Sequence, residues 1–349
     1  MESIKSMEVL GQVLSLTQEE LSWKEGPGTV PLRITEHFFN LIDKNDPNDP
    51  LRKQVVPTGL ENIEDDQDEE ITFDPQQEEK YSVNSRLVHR YKNRVAFLVT
   101  DLCPSYCRHC FRRRFTGKLM GCVSDEIAEE SAAYVGNRPE IKEILFTGGD
   151  VLTLSNSHLE KLITMFREKR PDLLIRICTR YLTTDPKRID IEFISMLKKF
   201  RSAPFYIMTQ FNHPKEISEE SVKSINLLAD NGFPLMNQTV LLKGINDDVL
   251  VLEELFNKLL FLRVKPYYLF QLDYVKGTSH FRVPLERGFE IQKELTKRLS
   301  GLANPFYTLD LPLGGGKVNF SQTQVTKDEG EQRFIIKSHS GETRFYPIG

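Results

Sequence analysis

At 349 residues, 39% hydrophobic and 28% charged, the chain is long enough to bury a substantial core, as one large α/β domain with extensions or as two average domains. A formal net charge of -4 gives no basic footprint for nucleic acid, although Arg112-Arg113-Arg114 forms a local cluster suited to a small anion. Five cysteines without a secretory signal pattern, and no apolar run long enough to span a membrane, point to reduced thiols in a cytoplasmic protein with neither membrane nor nucleic acid as partner.

In chain order, residues 1–50 read as helical, with Thr17 and Glu20 at capping-box spacing and an apolar face from Ile34 to Ile42. Residues 58–80, including the acidic run Glu61 to Glu70, read as a turn-rich, solvated link. From Arg94 onward, short β-branched or aromatic runs alternate with amphipathic stretches, the pattern of βα units around a parallel sheet. Six strands are expected, at Val95–Thr100, Glu143–Thr147, Leu174–Cys178, Phe205–Gln210, Leu235–Leu241 and Tyr267–Leu272. Helices are expected between them at Asp125–Val135, Ser157–Arg167, Glu216–Asn231 and Leu252–Leu262. Six units fall short of a closed eight-stranded barrel, so the expected fold is α/β, a partial, TIM-like (β/α)6 barrel with its active site at the carboxyl ends of the strands.

Polar residues gather at those ends. Cys103, Cys107 and Cys110, spaced C-x3-C-x2-C, follow the first strand. Gly148-Gly149-Asp150 follows the second, Thr179-Arg180 the third, Gln210 and Asn212 the fourth, Gln238 lies in the fifth and Asp273 ends the sixth. A structural zinc site wants four N or S ligands, and only His109 lies near the three thiols. Iron-sulfur clusters are normally held by four thiolates. Three in a tight group therefore imply a four-iron cluster with one iron open to a non-protein ligand. Cys122 and Cys178 read as inert packing residues.

The C-x3-C-x2-C loop followed one βα unit later by Gly-Gly-Asp resembles the radical S-adenosylmethionine superfamily. Taken singly, Gly-Gly-Asp would be an ordinary turn. The resemblance narrows to the lysine 2,3-aminomutase family over roughly residues 30 to 347, through Asp46-Pro-Asn-Asp-Pro-Leu-Arg-Lys-Gln54, His89-Arg-Tyr-Lys-Asn-Arg94, Phe211-Asn-His-Pro214, Asn237-Gln-Thr-Val-Leu-Leu-Lys-Gly-Ile-Asn246, His280-Phe-Arg282 and Asp310-Leu-Pro-Leu-Gly-Gly-Gly-Lys317. It implies a helical extension and acidic linker at 1–88, a radical core at 89–300, and a segment at 301–349 with closing strands near Phe334–Lys337 and Glu342–Tyr346.

The resemblance also implies cofactors and roles. Cys103, Cys107 and Cys110 would hold a 4Fe-4S cluster, with His109, Gly148, Gly149, Asp150 and Gln238 around S-adenosylmethionine. Lys317, after Gly314-Gly315-Gly316, would carry pyridoxal 5'-phosphate, its phosphate on Arg90, Tyr91 and Arg94. Arg112 would hold the amino acid's α-carboxylate, and Asp273 and Asp310 the ε-ammonium of lysine. Two carboxylates sharing a site repel unless a cation sits between them, so lysine is favoured over glutamate, with arginine and ornithine as cationic alternatives. The implied reaction moves the amino group of L-lysine from the α- to the β-carbon, with electrons from a flavodoxin- or ferredoxin-type reductant. A homo-oligomer is left open. A noncatalytic iron-sulfur sensor is the rival reading.

Two departures matter. Gly244-Ile-Asn-Asp-Asp248 ends in Asp where long clostridial-type relatives place a zinc-binding Cys, and no Cys follows Cys178, so no zinc is expected. Cys110-Phe-Arg-Arg113 resembles the shorter branch that serves elongation factor P, yet the chain runs on past Lys317, so length does not separate a free β-lysine role from a translation-factor role.

Overall fold

The computed structural model describes residues 3–26, 28–62, 71–118, 120–320, 324–337 and 342–347. Four short helices come first: α1 (Met7–Val13), α2 (Gln18–Leu21), α3 (Glu36–Leu41) and α4 (Pro50–Val55). Each begins on a side-chain cap, from Ser6, Thr17, Thr35 and Asp49. The Thr17–Glu20 capping box forms as expected. Glu20 has a second task, taking the buried Arg52 guanidinium at 2.8 and 2.6 Å. Leu10, Phe38, Phe39, Leu51 and Val55 close a small core of their own.

Where it is described the link is only partly solvated, with Glu61, Ile71, Pro75 and Glu78 buried and Asn62, Phe73, Glu79 and Lys80 exposed; most of its acidic run, residues 63–70, lies outside the described residues. Glu61 is buried between two buried arginines, 2.7 Å from Arg108 and 2.5 Å from Arg113. Guanidiniums removed from water need an opposing charge, and here the link supplies it.

The main sheet starts with β1 (Leu87–Tyr91) and β2 (Arg94–Thr100), followed by α5 (Asp125–Gly136), β3 (Glu143–Gly148), α6 (Asn156–Lys169), β4 (Leu174–Cys178), α7 (Tyr181–Thr184) and α8 (Ile191–Leu197). It continues with β5 (Phe205–Thr209), α9 (Glu219–Asp230), β6 (Leu235–Leu241), α10 (Val249–Phe261), β7 (Val264–Gln271), α11 (Leu285–Arg298), β8 (Phe306–Leu311) and β9 (Gly316–Asn319). Strands lie in sequence order, β2 to β8 parallel, with β1 and β9 antiparallel at the two edges. The result is an open, partial barrel. All six expected strands are present, and β8 adds a seventh parallel strand.

Side chains alternate across these strands. Val95, Phe97, Val99, Ile144, Phe146, Ile175, Ile177, Phe205, Ile207, Leu309 and Leu311 enter the core beneath the helices. The intervening positions, among them Thr147, Cys178, Gln238, Phe270 and Asp310, take the concave face. Cys178 is half-buried there, and burial pushes its thiol up to about 11, as suits an inert thiol, whereas Cys122 is exposed and does not serve the packing role expected of it. The chain closes with a three-stranded sheet, β10 (Gln324–Asp328), β11 (Arg333–Lys337) and β12 (Thr343–Pro347), seated on the core through Phe334, Ile336 and Tyr346.

Candidate active site

The loop between β2 and α5 carries Cys103, Cys107 and Cys110, and the glycines at the end of β3 hold it close. Gly149 donates its N–H to Thr100 at 2.6 Å and Asp150 donates to Leu102 at 2.8 Å. A Cβ on Gly149 would stand 2.3 Å from the Leu102 carbonyl oxygen, and Gly148 adopts φ 120°. The Asp150 carboxylate accepts from the Thr179 hydroxyl at 2.7 Å and the Arg180 N–H at 2.6 Å. Burial pushes its acid up to about 6, against the pull of these donors. Gly148-Gly149-Asp150 thus ties the cysteine loop to the ends of β3 and β4.

All three cysteines are partly buried. Arg180 reaches Cys107 Sγ with Nη1 at 2.7 Å, and Cys110 Sγ lies 3.8 Å from Thr116 Oγ1. Burial, then the charges of Asp150, Cys110 and Cys107, push the Cys103 thiol well above its ordinary range. A coordinated metal reverses that balance and binds the thiolates. Among the described residues no three His, Cys, Asp or Glu side chains group as ligands of a metal ion. The three cysteines of this loop nevertheless act on one another's charge, and thiolates are the donor set that would hold an iron-sulfur cluster.

Within the same loop, His109 is buried, its Nε2 3.2 Å from the Gln210 amide nitrogen and 3.4 Å from that of Asn212. Burial, with Arg180 and Arg113 nearby, pulls its pKa well below the usual value, so the ring is neutral. With Nε2 accepting, the proton sits on Nδ1, which is buried and has no partner. Gln238 lies on β6 between Asn237 and Thr239, whose side chains bond to the Phe211 carbonyl. The pleat puts Gln238 on the opposite, concave face.

Lys317 lies on the edge strand β9, opposite Asp310 of β8. Its Nζ is 2.6 Å from Asp310 Oδ2 and 3.9 Å from the centre of the Phe270 ring. Its N–H donates to the Tyr91 hydroxyl at 2.9 Å, joining β9 to β1 across the opening of the sheet. Arg94 stacks on Tyr91 at 3.9 Å. Arg90 gives Nη1 to the Gln76 carbonyl at 3.4 Å, while its buried Nη2 has no partner. A Cβ on Gly316, at φ 97°, would have one neighbour within 4 Å, that Nη2 at 3.7 Å.

Asp273 follows β7, and Gln76 Nε2 donates to it at 3.1 Å. Burial and then the Asp310 charge push its acid up to about 7, with Gln76, Lys317 and Arg112 opposing. The two carboxylates lie within electrostatic reach of each other, and the cation paired with Asp310 is Lys317 itself. Arg112 grips Glu78 through Nε at 3.0 Å and Nη2 at 2.9 Å, and gives Nη1 to the Thr147 hydroxyl at 3.0 Å. Glu78 and Gln76 were not expected at the site. They belong to the acidic link, and nothing in their local sequence distinguishes them from its solvated carboxylates and amides.

These parts define a radical enzyme: residues 97–255 match the model of the Radical SAM superfamily. The chain is 41% identical to the L-lysine 2,3-aminomutase of Clostridium subterminale over 97% of this chain and 80% of that protein. It is 40% identical to the L-lysine 2,3-aminomutase of Acetoanaerobium sticklandii over the same shares, and 41% identical to the glutamate 2,3-aminomutase of Clostridioides difficile over 90% of this chain and 73% of that one. The chain belongs to the 2,3-aminomutase family of that superfamily. The cofactors of this family are a 4Fe-4S cluster, S-adenosylmethionine and pyridoxal phosphate. The residues present fit them: three thiols on one loop that act on one another's charge, an unpartnered imidazole N–H on the same loop, and a lysine amine on β9 with an arginine on β1 whose buried Nη2 has no partner.

Proposed function

We propose that this protein is an L-lysine 2,3-aminomutase, exchanging the α-amino group of L-lysine with a hydrogen on the β-carbon to give β-lysine. The observation that carries the reading is the acid pair Asp273 and Asp310 beside Lys317, within the electrostatic reach of Arg112. A free amino acid with a cationic end matches both ends of that arrangement. Glutamate would bring a third carboxylate to the acid pair, and a buried charge left unpaired costs roughly 2 to 5 kcal/mol, about a hundredfold or more in discrimination.

Bound together, the cofactors supply a 5'-deoxyadenosyl radical that takes the β-hydrogen and a carbonyl group that carries the migrating nitrogen. The chain's own residues do the rest. Cys103, Cys107 and Cys110 would hold the cluster, while Arg180 donates a hydrogen bond to the Cys107 sulfur. His109 offers its Nδ1–H, and Gln238 a side-chain amide, to the adenosyl ligand. Gly148, Gly149 and Asp150 fix the loop under it. Arg90, Arg94 and the Tyr91 hydroxyl supply the phosphate site, Lys317 Nζ the amine, and the Phe270 ring one wall. Asp273 and Asp310 orient the ε-ammonium, and Arg112 the α-carboxylate, so that the β-carbon is held at one place. A flavodoxin- or ferredoxin-type protein as reductant and a reducing cytoplasm complete the proposal.

Anaerobic reconstitution with iron, sulfide, pyridoxal phosphate, S-adenosylmethionine and reductant tests it. Incubation with lysine, ornithine, arginine or glutamate, followed by chromatography, should yield β-lysine as the principal product. Conversion of glutamate with lysine untouched would reject the assignment.

A further inference from the structure

Arg112 is held by more than its own loop. A guanidinium has five N–H donors. Nε and one hydrogen of Nη2 go to Glu78, at 3.0 and 2.9 Å, and one hydrogen of Nη1 goes to Thr147. One N–H remains on each terminal nitrogen, the pair that a second carboxylate accepts with its two oxygens. We propose that Glu78 is a positioning residue for substrate binding: it holds the Nε side of Arg112 and leaves the terminal N–H pair for the α-carboxylate. This rests on the reading of Arg112 as the carboxylate receptor.

Glu78 is itself fixed. The Asp74 carboxylate accepts the N–H groups of Glu78 and Glu79, each at 3.0 Å, and Arg114 bridges Asp74 at 3.1 Å and Glu78 at 3.3 Å. Only 7% of the Glu78 side chain is exposed. Two residues earlier, Gln76 holds Asp273 with its amide and Arg90 with its carbonyl oxygen. Gly314 approaches the same segment, its N–H 3.4 Å from the Pro75 carbonyl oxygen. One short stretch, Asp74 to Glu79, therefore reaches the carboxylate end, the ammonium end and the glycine run before Lys317. Turning the Glu78 side chain away from Arg112 would also break its ion pair with Arg114, and the bond from the Glu78 N–H to Asp74 fixes the backbone from which that side chain reaches. These contacts favour a fixed support over a carboxylate that merely occupies the substrate's place and yields to it.

The two roles give opposite results. Lysine is titrated into the pyridoxal phosphate-loaded protein without S-adenosylmethionine, following cofactor absorbance, and KM and kcat are measured on the complete enzyme. Loss of a support predicts that Glu78→Ala weakens lysine binding and raises KM about tenfold or more, with kcat within about threefold, as befits lost hydrogen bonds to a charged group. Glu78→Gln, which keeps one accepting oxygen, should lie between. Lysinamide, which lacks the carboxylate, should bind Glu78→Ala and the parent protein alike. Unchanged or tighter lysine binding in Glu78→Ala and Glu78→Gln would overturn the proposal. If Arg112→Ala also binds lysine like the parent, the receptor reading has failed; if only the Glu78 variants do, the support role alone has failed.

Discussion

The acid pair makes lysine binding depend on pH in a calculable way. Burial and the neighbouring Asp310 charge push Asp273 up to about 7, and only its ionised form completes the site for an ammonium. Its acid is raised, so the charged form is scarce below that value and dominant above it. Roughly one-tenth is ionised at pH 6 and roughly nine-tenths at pH 8, so this group contributes about a tenfold gain in lysine affinity between them. By linkage, lysine binding at pH 6 should release close to one proton from this site. Deprotonation of the substrate's own α-amino group adds a separate slope, which Asp273→Asn shares. The assay is therefore a ratio: affinity at pH 8 over pH 6 for the parent, divided by the same quantity for Asp273→Asn. The expected value is about ten. A value near one would show that Asp273 is ionised throughout or remote from the ammonium, and would refute the reasoning. Without lysine the sign for the fold is the usual one for a raised acid: its stabilising contribution is complete below about pH 4 and is lost as pH rises through about 7.

Three further outcomes follow from named contacts. Lys317→Ala should abolish turnover and prevent borohydride from fixing pyridoxal phosphate to the chain, with cluster absorbance retained; Cys107→Ala should lose the cluster yet keep the reducible lysine adduct. Glu61→Ala leaves Arg108 and Arg113 buried without their shared carboxylate, and urea unfolding should report a loss of about 3 to 5 kcal/mol. Gly149→Ala drives a Cβ to 2.3 Å from the Leu102 carbonyl oxygen, so cluster incorporation, read from visible absorbance, should fall severely while the pyridoxal site still loads.

Much of this site is legible in the chain because its parts are local. Three cysteines within eight residues and a lysine after three glycines declare themselves without any knowledge of the fold, and the apolar alternation of Ile144, Phe146, Ile175 and Ile177 locates their strands. What stays hidden depends on partners distant in sequence. Glu61 and Glu78 sit among acids that look solvated, since the arginines that bury them lie between 34 and 52 residues away. Strand β8 is missed because Thr308 and Asp310 interrupt its apolar run; both turn to the concave face, where polarity serves the site. The pairing of Lys317 with Asp310 was equally invisible, because it arises from β8 and β9 lying antiparallel.

The central claim is that these residues direct nitrogen from one carbon of lysine to the next. Its most direct test supplies the reconstituted enzyme with L-lysine carrying 15N at the α-position and locates the label in the product by NMR. The account predicts 15N on the β-carbon, with no loss to solvent ammonia. Label remaining on the α-carbon while S-adenosylmethionine is consumed would contradict it.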